Sequence, residues 1–421
     1  MKLIHWSVAP DGATPVERKN FRYVQIDAIG IGLANAASPF LPVFLTRLGA
    51  SNLQVGLLTS MPAVTGLFFA LLAGRFLQRQ RNVVPWFSLA RLTAVSFYAL
   101  TGLVPFFVPR SYLVPAILLI WAVATLPQTL LSIAFSVVMN AVAGPKGRYE
   151  LMSRRWSILG LTTAVTVALA GMVLDRLSFP LNYQVVFLAL SLGGLFSYYY
   201  SSHIELPDAE PRTPRVAAVP LGERLRGAMG FLRRQGAFLT FVSKRFVYAL
   251  GAFLTVPLLP LFFVRVLNAS DSWIGFISTA QTATMLVGYA LWARLSRSRG
   301  SRFALLCTVF CMGLYPALVA ITRDVQWMVI LAGLAGIFQA GIDLIFFDEL
   351  MRTIPPEHSA TLVGVAASLQ YLATFVGPFL GTTLADHIGI PAALVAGAAL
   401  RLVGFVLFAR NSGADTSVRQ S

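Results

Sequence analysis

Charged residues are scarce in this sequence. Of 421 residues, 33 are basic and 17 acidic, so that 12% are charged while 57% are apolar. A typical soluble domain carries about 25% charged residues. So few charged side chains cannot cover the surfaces of the soluble domains that a chain of this length would form. The composition therefore excludes an ordinary soluble enzyme and predicts a protein that is solvated by lipid.

Residues and motifs that carry enzyme chemistry are also few. The two cysteines, Cys307 and Cys311, lie one helical turn apart in an apolar stretch, which is typical of small buried hydrophobic residues and implies no disulfide framework. The four histidines are scattered over termini and loops, and no phosphate-binding loop, nucleophile elbow or His-Glu-x-x-His motif is present. We therefore expect no enzyme activity, no cofactor and no metal site.

The net charge of +16 does not indicate nucleic-acid binding. The basic residues lie between apolar runs and form no continuous stripe with aromatic residues, so we expect no nucleic-acid partner. The first 20 residues are polar and include Asp11 and Glu17. They do not match a cleaved signal peptide, and we expect the first apolar run to stay in the mature protein.

Long apolar runs recur along the whole chain. A helix needs about 20 apolar residues to cross a bilayer. We predict an all-α integral membrane protein with two six-helix bundles at 21–201 and 237–410, a linker at 202–236 and terminal tails at 1–20 and 411–421. The twelve predicted spans are residues 21–46, 53–74, 84–108, 112–142, 156–175, 180–201, 237–264, 272–294, 302–321, 326–348, 359–383 and 390–410.

The basic residues predict the orientation in the membrane. Most lie in the termini and in alternate loops that would share one face, so the positive-inside rule predicts a multi-pass protein of the plasma membrane, or bacterial inner membrane, with both termini cytoplasmic. The linker would then also be cytoplasmic. It combines a segment with four prolines, at 206–220, with an amphipathic stretch at 221–234 that is typical of a helix on the membrane surface.

The two predicted bundles repeat each other. Pro39, Pro42, Phe44 and Arg47 in span one recur in span seven at a constant offset of 218 residues. The offset is 219 for Gly56 and Arg75, and 211 for residues of the later spans. A six-span unit repeated in tandem predicts two pseudo-symmetric bundles that are related by an axis along the membrane normal, as in transporters that rock about a central site. The repeated residues are Pro257, Pro260, Phe262, Arg265, Gly275 and Arg294.

In these features the chain resembles the major facilitator superfamily. The resemblance rests on six plus six spans, a cytoplasmic linker and basic loops after spans two and eight. The family motif after span two keeps its Gly as Gly74 and its Arg as Arg79, whereas Gln78 stands where the family has Asp. The segment 145–150 is similar to the family's loop between spans four and five. The resemblance implies a secondary transporter whose spans one and seven line the cavity.

Polar residues inside spans one and seven are candidate functional groups, because charges in lipid are costly. Asp27 and Asn35 lie eight positions apart, on one helical face. The counterpart of Asp27 at the 218 offset is Arg245, which follows Lys244. One hypothesis is that Asp27 and Arg245 approach each other when the cytoplasmic side closes. The alternative is that the two basic residues reach the headgroups while Asp27 joins a local network. Tyr248, one turn after Lys244, is a further candidate.

Spans four and ten supply a second candidate group. Gln128 and Ser132 are four residues apart, and their counterparts at the 211 offset are Gln339 and Asp343. Only the second bundle has the carboxylate, so we expect a chemically asymmetric site in which Asp343 binds a proton or solute. The alternative for the glutamines is a hydrogen bond that only packs the helices.

Two further arginines lie inside predicted spans. Arg91 and Arg401 occupy spans that are peripheral in the family, and we expect them to contact headgroups or to pair with Asp348 or Glu349. The four span prolines are expected to bend spans one and seven, as suits gating helices. They are Pro39, Pro42, Pro257 and Pro260.

These patterns predict a secondary active transporter that moves a small organic solute by alternating access. Few charges and many aromatic residues favour an amphiphilic or weakly cationic solute. The resemblance to the family's proton-coupled exporters, several of which carry an acid in span one, implies proton-coupled export by antiport. The expected partners are the solute, protons and the lipid bilayer, and the protein is expected to be a monomer. Two alternatives keep the same fold: a membrane assembly, cofactor-delivery or sensing protein, and a facilitator without proton coupling.

Overall fold

The computed structural model describes residues 13–206, 235–354 and 359–410. The terminal tails up to residue 12 and from residue 411, and the amphipathic stretch of the linker, lie outside the described residues.

The described residues form thirteen α-helices and one short 3-10 helix, Arg110–Tyr112. Twelve segments among them are long and apolar enough to cross a membrane, which confirms the predicted number of spans and the all-α fold class. The helices of the first half are α1 (Pro15–Asn35), α2 (Phe40–Arg47), α3 (Asn52–Gln78), α4 (Val84–Phe107), α5 (Leu113–Arg176) and α6 (Leu181–Ser202). Those of the second half are α7 (Gly236–Thr255), α8 (Leu258–Arg265), α9 (Asp271–Arg299), α10 (Ser301–Ile321), α11 (Val325–Arg352), α12 (Ser359–Ile388) and α13 (Ile390–Ala409).

Spans four and five are connected by a segment with helical backbone geometry. Residues 145–150 form this connection, and the label α5 covers both spans together with it. The predicted loop there is wrong. Pro145 and Gly147 suggested a break, but this segment also holds Arg148 and Glu150, which favour helix, and it is flanked by helix on both sides.

Spans one and seven are each broken at the predicted prolines. Helix α1 ends at Asn35, and Pro39 precedes the first residue of α2. Pro257 stands in the same way between α7 and α8. Proline has no backbone N–H and its ring clashes with the preceding turn, so a continuous helix is interrupted there. The helix breaks at the corresponding proline in both halves, as the sequence repeat predicts.

The chain divides into two compact units that do not follow the order of the sequence completely. Unit 1 contains 1–50, 64–213 and 269–279, and unit 2 contains 51–63, 214–268 and 280–421. The first turns of α3 therefore belong to unit 2 and those of α9 to unit 1, while the remainder of each helix belongs to the other unit.

The two units pack their helices in corresponding ways. In unit 1, α1 and α4 both pack on α5 and α6. In unit 2, α7 packs on α12 and α13, and α10 packs on α11 and α13. Large side chains fill each core, such as Phe87 and Phe187 in unit 1 and Phe238 and Phe262 in unit 2, all of them fully buried. Each unit therefore has its own core in which polar side chains can be enclosed.

Candidate functional site

Asp27 lies in the core of unit 1 and is fully enclosed. Its carboxylate is 0% exposed and accepts hydrogen bonds from Nη1 of Arg91 on α4 and from the hydroxyl of Ser197 on α6. Nη2 of Arg155 on α5 lies 3.7 Å from the same carboxylate. Both arginine side chains are 3% exposed. Asp27 is thus the centre of a local network that joins four helices.

Aromatic rings complete the enclosure of the two arginines. The guanidinium of Arg91 lies 4.3 Å from the ring centre of Phe87, and that of Arg155 lies 4.6 Å from the ring centre of Phe135. A ring face stabilises a cation that has lost its water. With one carboxylate for two guanidiniums, this network has a surplus positive charge.

The predicted environment of Arg91 and Arg401 is wrong. Both are buried in a protein core, and the expected partners Asp348 and Glu349 instead face Arg352 on their own helix. Residues three or four positions apart on a helix are neighbours, so the local pair forms without tertiary contacts.

Arg401 in unit 2 is a buried cation of a different kind. It is 5% exposed and donates to Thr255 Oγ1 at 2.6 Å, to the carbonyl of Met312 at 2.9 Å and to the carbonyl of Ala252 at 3.3 Å. Among the described residues it forms no ion pair. Ala252 and Thr255 are in the last turn of α7, so Arg401 binds the helix next to its proline break.

Asp343 in unit 2 is held by neutral donors on an accessible face. Gln339 Nε2 donates to its Oδ1 at 2.8 Å, as the four-residue spacing on α11 predicted. Tyr289 on α9 donates its hydroxyl to Oδ2 at 3.2 Å. Asp343 has no ion pair among the described residues, and its side chain is exposed on the helix surface.

Arg245 and Tyr248 lie beside this cluster in unit 2. Arg245 on α7 is within electrostatic range of Asp343, and its guanidinium lies 5.6 Å from the ring centre of Phe346. The buried Tyr248 meets the same ring edge to face at 5.5 Å between ring centres. Lys244 lines a groove of about 390 Å³ together with Thr240 and Ser243.

The counterparts in unit 1 do not form a similar cluster. Ser132 is exposed and donates to the carbonyl of Thr129 in its own helix at 2.8 Å, and Gln128 is half-buried. Asn35 is exposed at the end of α1, whereas Asp27 is fully buried. The structure therefore does not bring Asn35 and Asp27 together. Gly74 lies inside α3 and Arg79 is exposed just after that helix ends.

Comparisons with known proteins show what the chain is similar to. Residues 245–419 match the family model described as Major Facilitator Superfamily. This match covers most of the second half of the chain, from within α7 to beyond α13. A match to this family points to membrane transport. A search of curated protein sequences gives no match.

Two solved structures share the fold of nearly the whole chain. The human organic anion transporter MFSD10 (TETRAN) is 18% identical, with a TM-score of 0.58, covering 94% of this chain and 100% of that chain. The nucleoside transporter NupG, solved as a point mutant, is 12% identical with a TM-score of 0.64, covering 93% of this chain and 99% of that chain. At these identities the likeness concerns the fold alone.

Sequence reasoning missed three members of these networks. Arg155 was placed just outside span five, although it is part of the continuous helix α5. Ser197 and Tyr289 are single polar residues in apolar spans, and nothing in the sequence separates them from polar residues that bond only to their own helix. These two residues can be recognised only when it is known that α1 packs against α6 and α9 against α11.

Proposed function

We propose that this protein is a secondary transporter that moves a small organic, amphiphilic solute by alternating access, with Asp343 as the group that binds solute or proton. The observation that carries this proposal is the environment of Asp343. It is a carboxylate within a spanning helix, and its described hydrogen bonds come only from the neutral side chains of Gln339 and Tyr289. Neutral donors leave the negative charge available to a cation or proton.

The other carboxylate in the interior of a span does not have this property. Asp27 is enclosed by two arginines and a serine, and it is 0% exposed. A carboxylate that is fully paired and shielded has a large barrier to exchange with an incoming ligand. This contrast supports Asp343 as the carboxylate that exchanges its partners for a solute or proton. Asp27 would then have a structural role.

The groups around Asp343 support an amphiphilic solute that carries a weakly basic or hydrogen-bond donating group. The aromatic ring of Tyr289 offers apolar and π surface beside the carboxylate, and Arg245 is the nearby cation. A solute of this class would bind Asp343 through its polar group and the ring through its apolar part.

The fold alone does not select the solute class. One structural neighbour is described as an organic anion transporter and the other as a nucleoside transporter. Because the same fold serves different solutes, the support for the class comes from the side chains around Asp343.

Proton-coupled export is the transport mode in this proposal. A proton and a basic group compete for one carboxylate, so that binding of one releases the other, which is the exchange required for antiport. The protein would lie in a cell membrane with both termini on the cytoplasmic side, act as a monomer and export its solute against the inward flow of protons.

The test is a thermal-shift screen of the purified protein against basic, neutral and acidic organic solutes at two pH values, followed by flux in proteoliposomes. We expect a stabilising solute whose flux depends on a pH gradient and is lost in Asp343→Asn. The matched control is Asp348→Asn, since Asp348 is an exposed carboxylate on the same helix that faces Arg352 at 2.9 Å.

Three outcomes would contradict parts of the proposal. Equal loss of flux in the two variants would remove Asp343 as the specific group. Flux that does not depend on pH would indicate a facilitator. No stabilising solute, together with co-purification of a partner protein, would favour an assembly or sensing role.

A further inference from the structure

Helix α7 places Arg245 against the turn of α11 that carries Asp343. The guanidinium of Arg245 lies 5.6 Å from the ring centre of Phe346, and Tyr248, one turn further along α7, meets the same ring edge to face. Phe346 is three positions after Asp343, so the two side chains occupy neighbouring positions on the surface of α11. These turns of α7 and α11 therefore face each other within unit 2.

The two charged residues lie at similar depths in their helices. Arg245 is nine residues after the first residue of α7, Gly236, and Asp343 is nine residues before the last residue of α11, Arg352. At 1.5 Å per residue, each charge lies about 14 Å from that helix end. Charged groups so far inside a span are costly in lipid and usually face a bundle interior or a water-filled cavity. We therefore expect the half-buried Arg245 and the exposed Asp343 to line such a cavity.

These opposite charges attract each other but do not pair directly. Asp343 exerts an electrostatic attraction on Arg245, yet the two form no ion pair in the described part of the chain. Gln339 and Tyr289 each donate one hydrogen bond to a different oxygen of Asp343, which leaves further acceptor positions on an ionised carboxylate. The ring of Phe346 contacts the guanidinium, whose N–H groups form no hydrogen bond with the described residues. Both groups can therefore bind a ligand.

An acid and a base held apart in this way are complementary to a ligand that carries both charges. An ammonium group can donate to the open positions of Asp343, and a carboxylate can accept two parallel hydrogen bonds from the planar fork of Arg245. A ligand with one charge meets an attraction and a repulsion together, since Arg245 repels an amine and Asp343 repels an acid. The pair therefore favours a ligand with both groups over a ligand with one.

Tyr289 adds an apolar surface next to the two charges. Its hydroxyl donates to Asp343 Oδ2 at 3.2 Å, which holds the half-buried ring beside the carboxylate. A ring in this position can pack against the apolar part of a ligand whose ammonium binds Asp343. The face of unit 2 thus offers an anion, a cation and an aromatic ring.

We propose that Arg245 forms a second charged subsite beside Asp343, and that the solute is a zwitterion with an apolar part, its ammonium on Asp343 and its carboxylate on Arg245. This inference rests on the proposed transport function with Asp343 as the binding group. It narrows the weakly basic solute of that proposal to one that also carries an acidic group.

Matched sets of ligands test the two subsites in thermal-shift titrations of the purified full chain. Each set contains a phenyl-substituted amino acid, the amine that lacks its carboxylate and the acid that lacks its ammonium. The amino acids are phenylalanine, 3-amino-3-phenylpropanoate and 4-amino-3-phenylbutanoate, in which a growing number of carbons separates the two charges. We expect at least one of them to bind about tenfold tighter than both its amine and its acid, because hydrogen bonds of charged groups have about this strength.

Substitution of each charged residue should remove the advantage of one ligand group. In Arg245→Gln, the amino acid should bind no tighter than its amine, while the amine binds as well as before or better because a repelling cation is gone. In Asp343→Asn, the amino acid should bind no tighter than its acid. An advantage of the amino acid over its amine that persists in Arg245→Gln would overturn the proposal.

A conservative variant guards against loss of folding. If Arg245→Gln does not fold, Arg245→Lys takes its place, since lysine keeps the charge but lacks the planar fork. The advantage of the amino acid over its amine should then fall severalfold without disappearing. An unchanged advantage in Arg245→Lys would contradict binding of the carboxylate by the fork.

The matched control is Arg299→Gln. Arg299 also lies over an aromatic ring, 5.4 Å from the ring centre of Phe303, but it is the last residue of α9. Its loss changes the net charge of the protein by the same amount and should leave all affinities unchanged. A similar loss of amino-acid binding in Arg299→Gln would show a general effect of charge and would overturn the specific role of Arg245.

Failure of this inference and failure of the proposed function give different results. Amines that bind through Asp343 without any gain from a carboxylate would overturn the zwitterion and leave the proposed function intact. The same holds if no amino acid of the panel binds, because the wider solute screen still tests Asp343. Binding of the panel that is unchanged in Asp343→Asn would count against the proposed function itself.

Discussion

The cores of the two units enclose their arginines in different ways. In unit 1, Arg91 and Arg155 share the carboxylate of Asp27, and all three are nearly inaccessible. In unit 2, Arg401 is equally buried but binds neutral oxygen atoms, carbonyls and hydroxyls, while Asp343 lies on an exposed face with neutral donors. Two copies of one fold have thus placed their carboxylates in opposite environments, one inside the core and one at its surface.

This difference supports the proposal that Asp27 has a structural role and Asp343 a ligand-binding one. A buried carboxylate between two guanidiniums is costly to remove and slow to exchange, so it suits a fixed core. A carboxylate with neutral partners keeps its charge available. The three buried arginines share one further feature, since their Nε atoms have no hydrogen-bond partner among the described residues. Their stability therefore depends on the contacts that each does make, and these can be removed one at a time.

The largest effect is expected for Asp27→Asn. Loss of the only carboxylate in this network leaves Arg91 and Arg155 as uncompensated buried cations, and breaking a buried ion pair costs about 3–5 kcal/mol. Unfolding of the purified protein by denaturant in detergent should show this loss in the free energy of unfolding. Such a loss would show that the carboxylate of Asp27 holds the four helices of its network together.

The control for this change is Asp348→Asn on the surface. Asp348 and Arg352 are each about half exposed, at 52% and 59%, and such pairs contribute about 0–1 kcal/mol. Similar losses for Asp27→Asn and Asp348→Asn would show that the buried network contributes no more than a surface pair, and the contrast between the units would disappear.

An intermediate effect is expected for Arg401→Met. The substitution removes three hydrogen bonds, but it leaves no opposite charge behind, and the methionine fills much of the volume. Hydrogen bonds of a charged group contribute about 1.5–3 kcal/mol, part of which is offset because a buried charge no longer needs to be desolvated. We expect a loss of about 1–2 kcal/mol in the same measurement. A loss as large as that of Asp27→Asn would mean that Arg401 is bound as strongly as an ion pair.

The sequence was sufficient for the architecture but not for these networks. The number of spans, the repeat and the breaks at Pro39 and Pro257 follow from local patterns, because apolar length and proline geometry act within one helix. The i, i+4 pair of Gln339 and Asp343 is equally local. The partners of Asp27 depend on which helices pack together and on how each is rotated, and both are decided by packing between residues 64 to 170 positions apart along the chain. The sequence repeat was misleading there, since the counterparts of Gln339 and Asp343 form no such cluster.

The smallest effect is expected for Arg155→Met, which tests whether unit 1 needs its surplus cation. Arg155 lies 3.7 Å from Asp27, farther than the hydrogen-bonded Arg91, and its removal leaves one neutral pair in place of a network with net positive charge. The lost attraction to the ring of Phe135 is worth about 0.5–2 kcal/mol, and the saved cost of burying a second cation offsets it. We therefore expect a change within about 1 kcal/mol in the free energy of unfolding. A loss close to that of Asp27→Asn would show that both arginines are required to hold the carboxylate, so that the network acts as a triad and not as a pair with an extra cation.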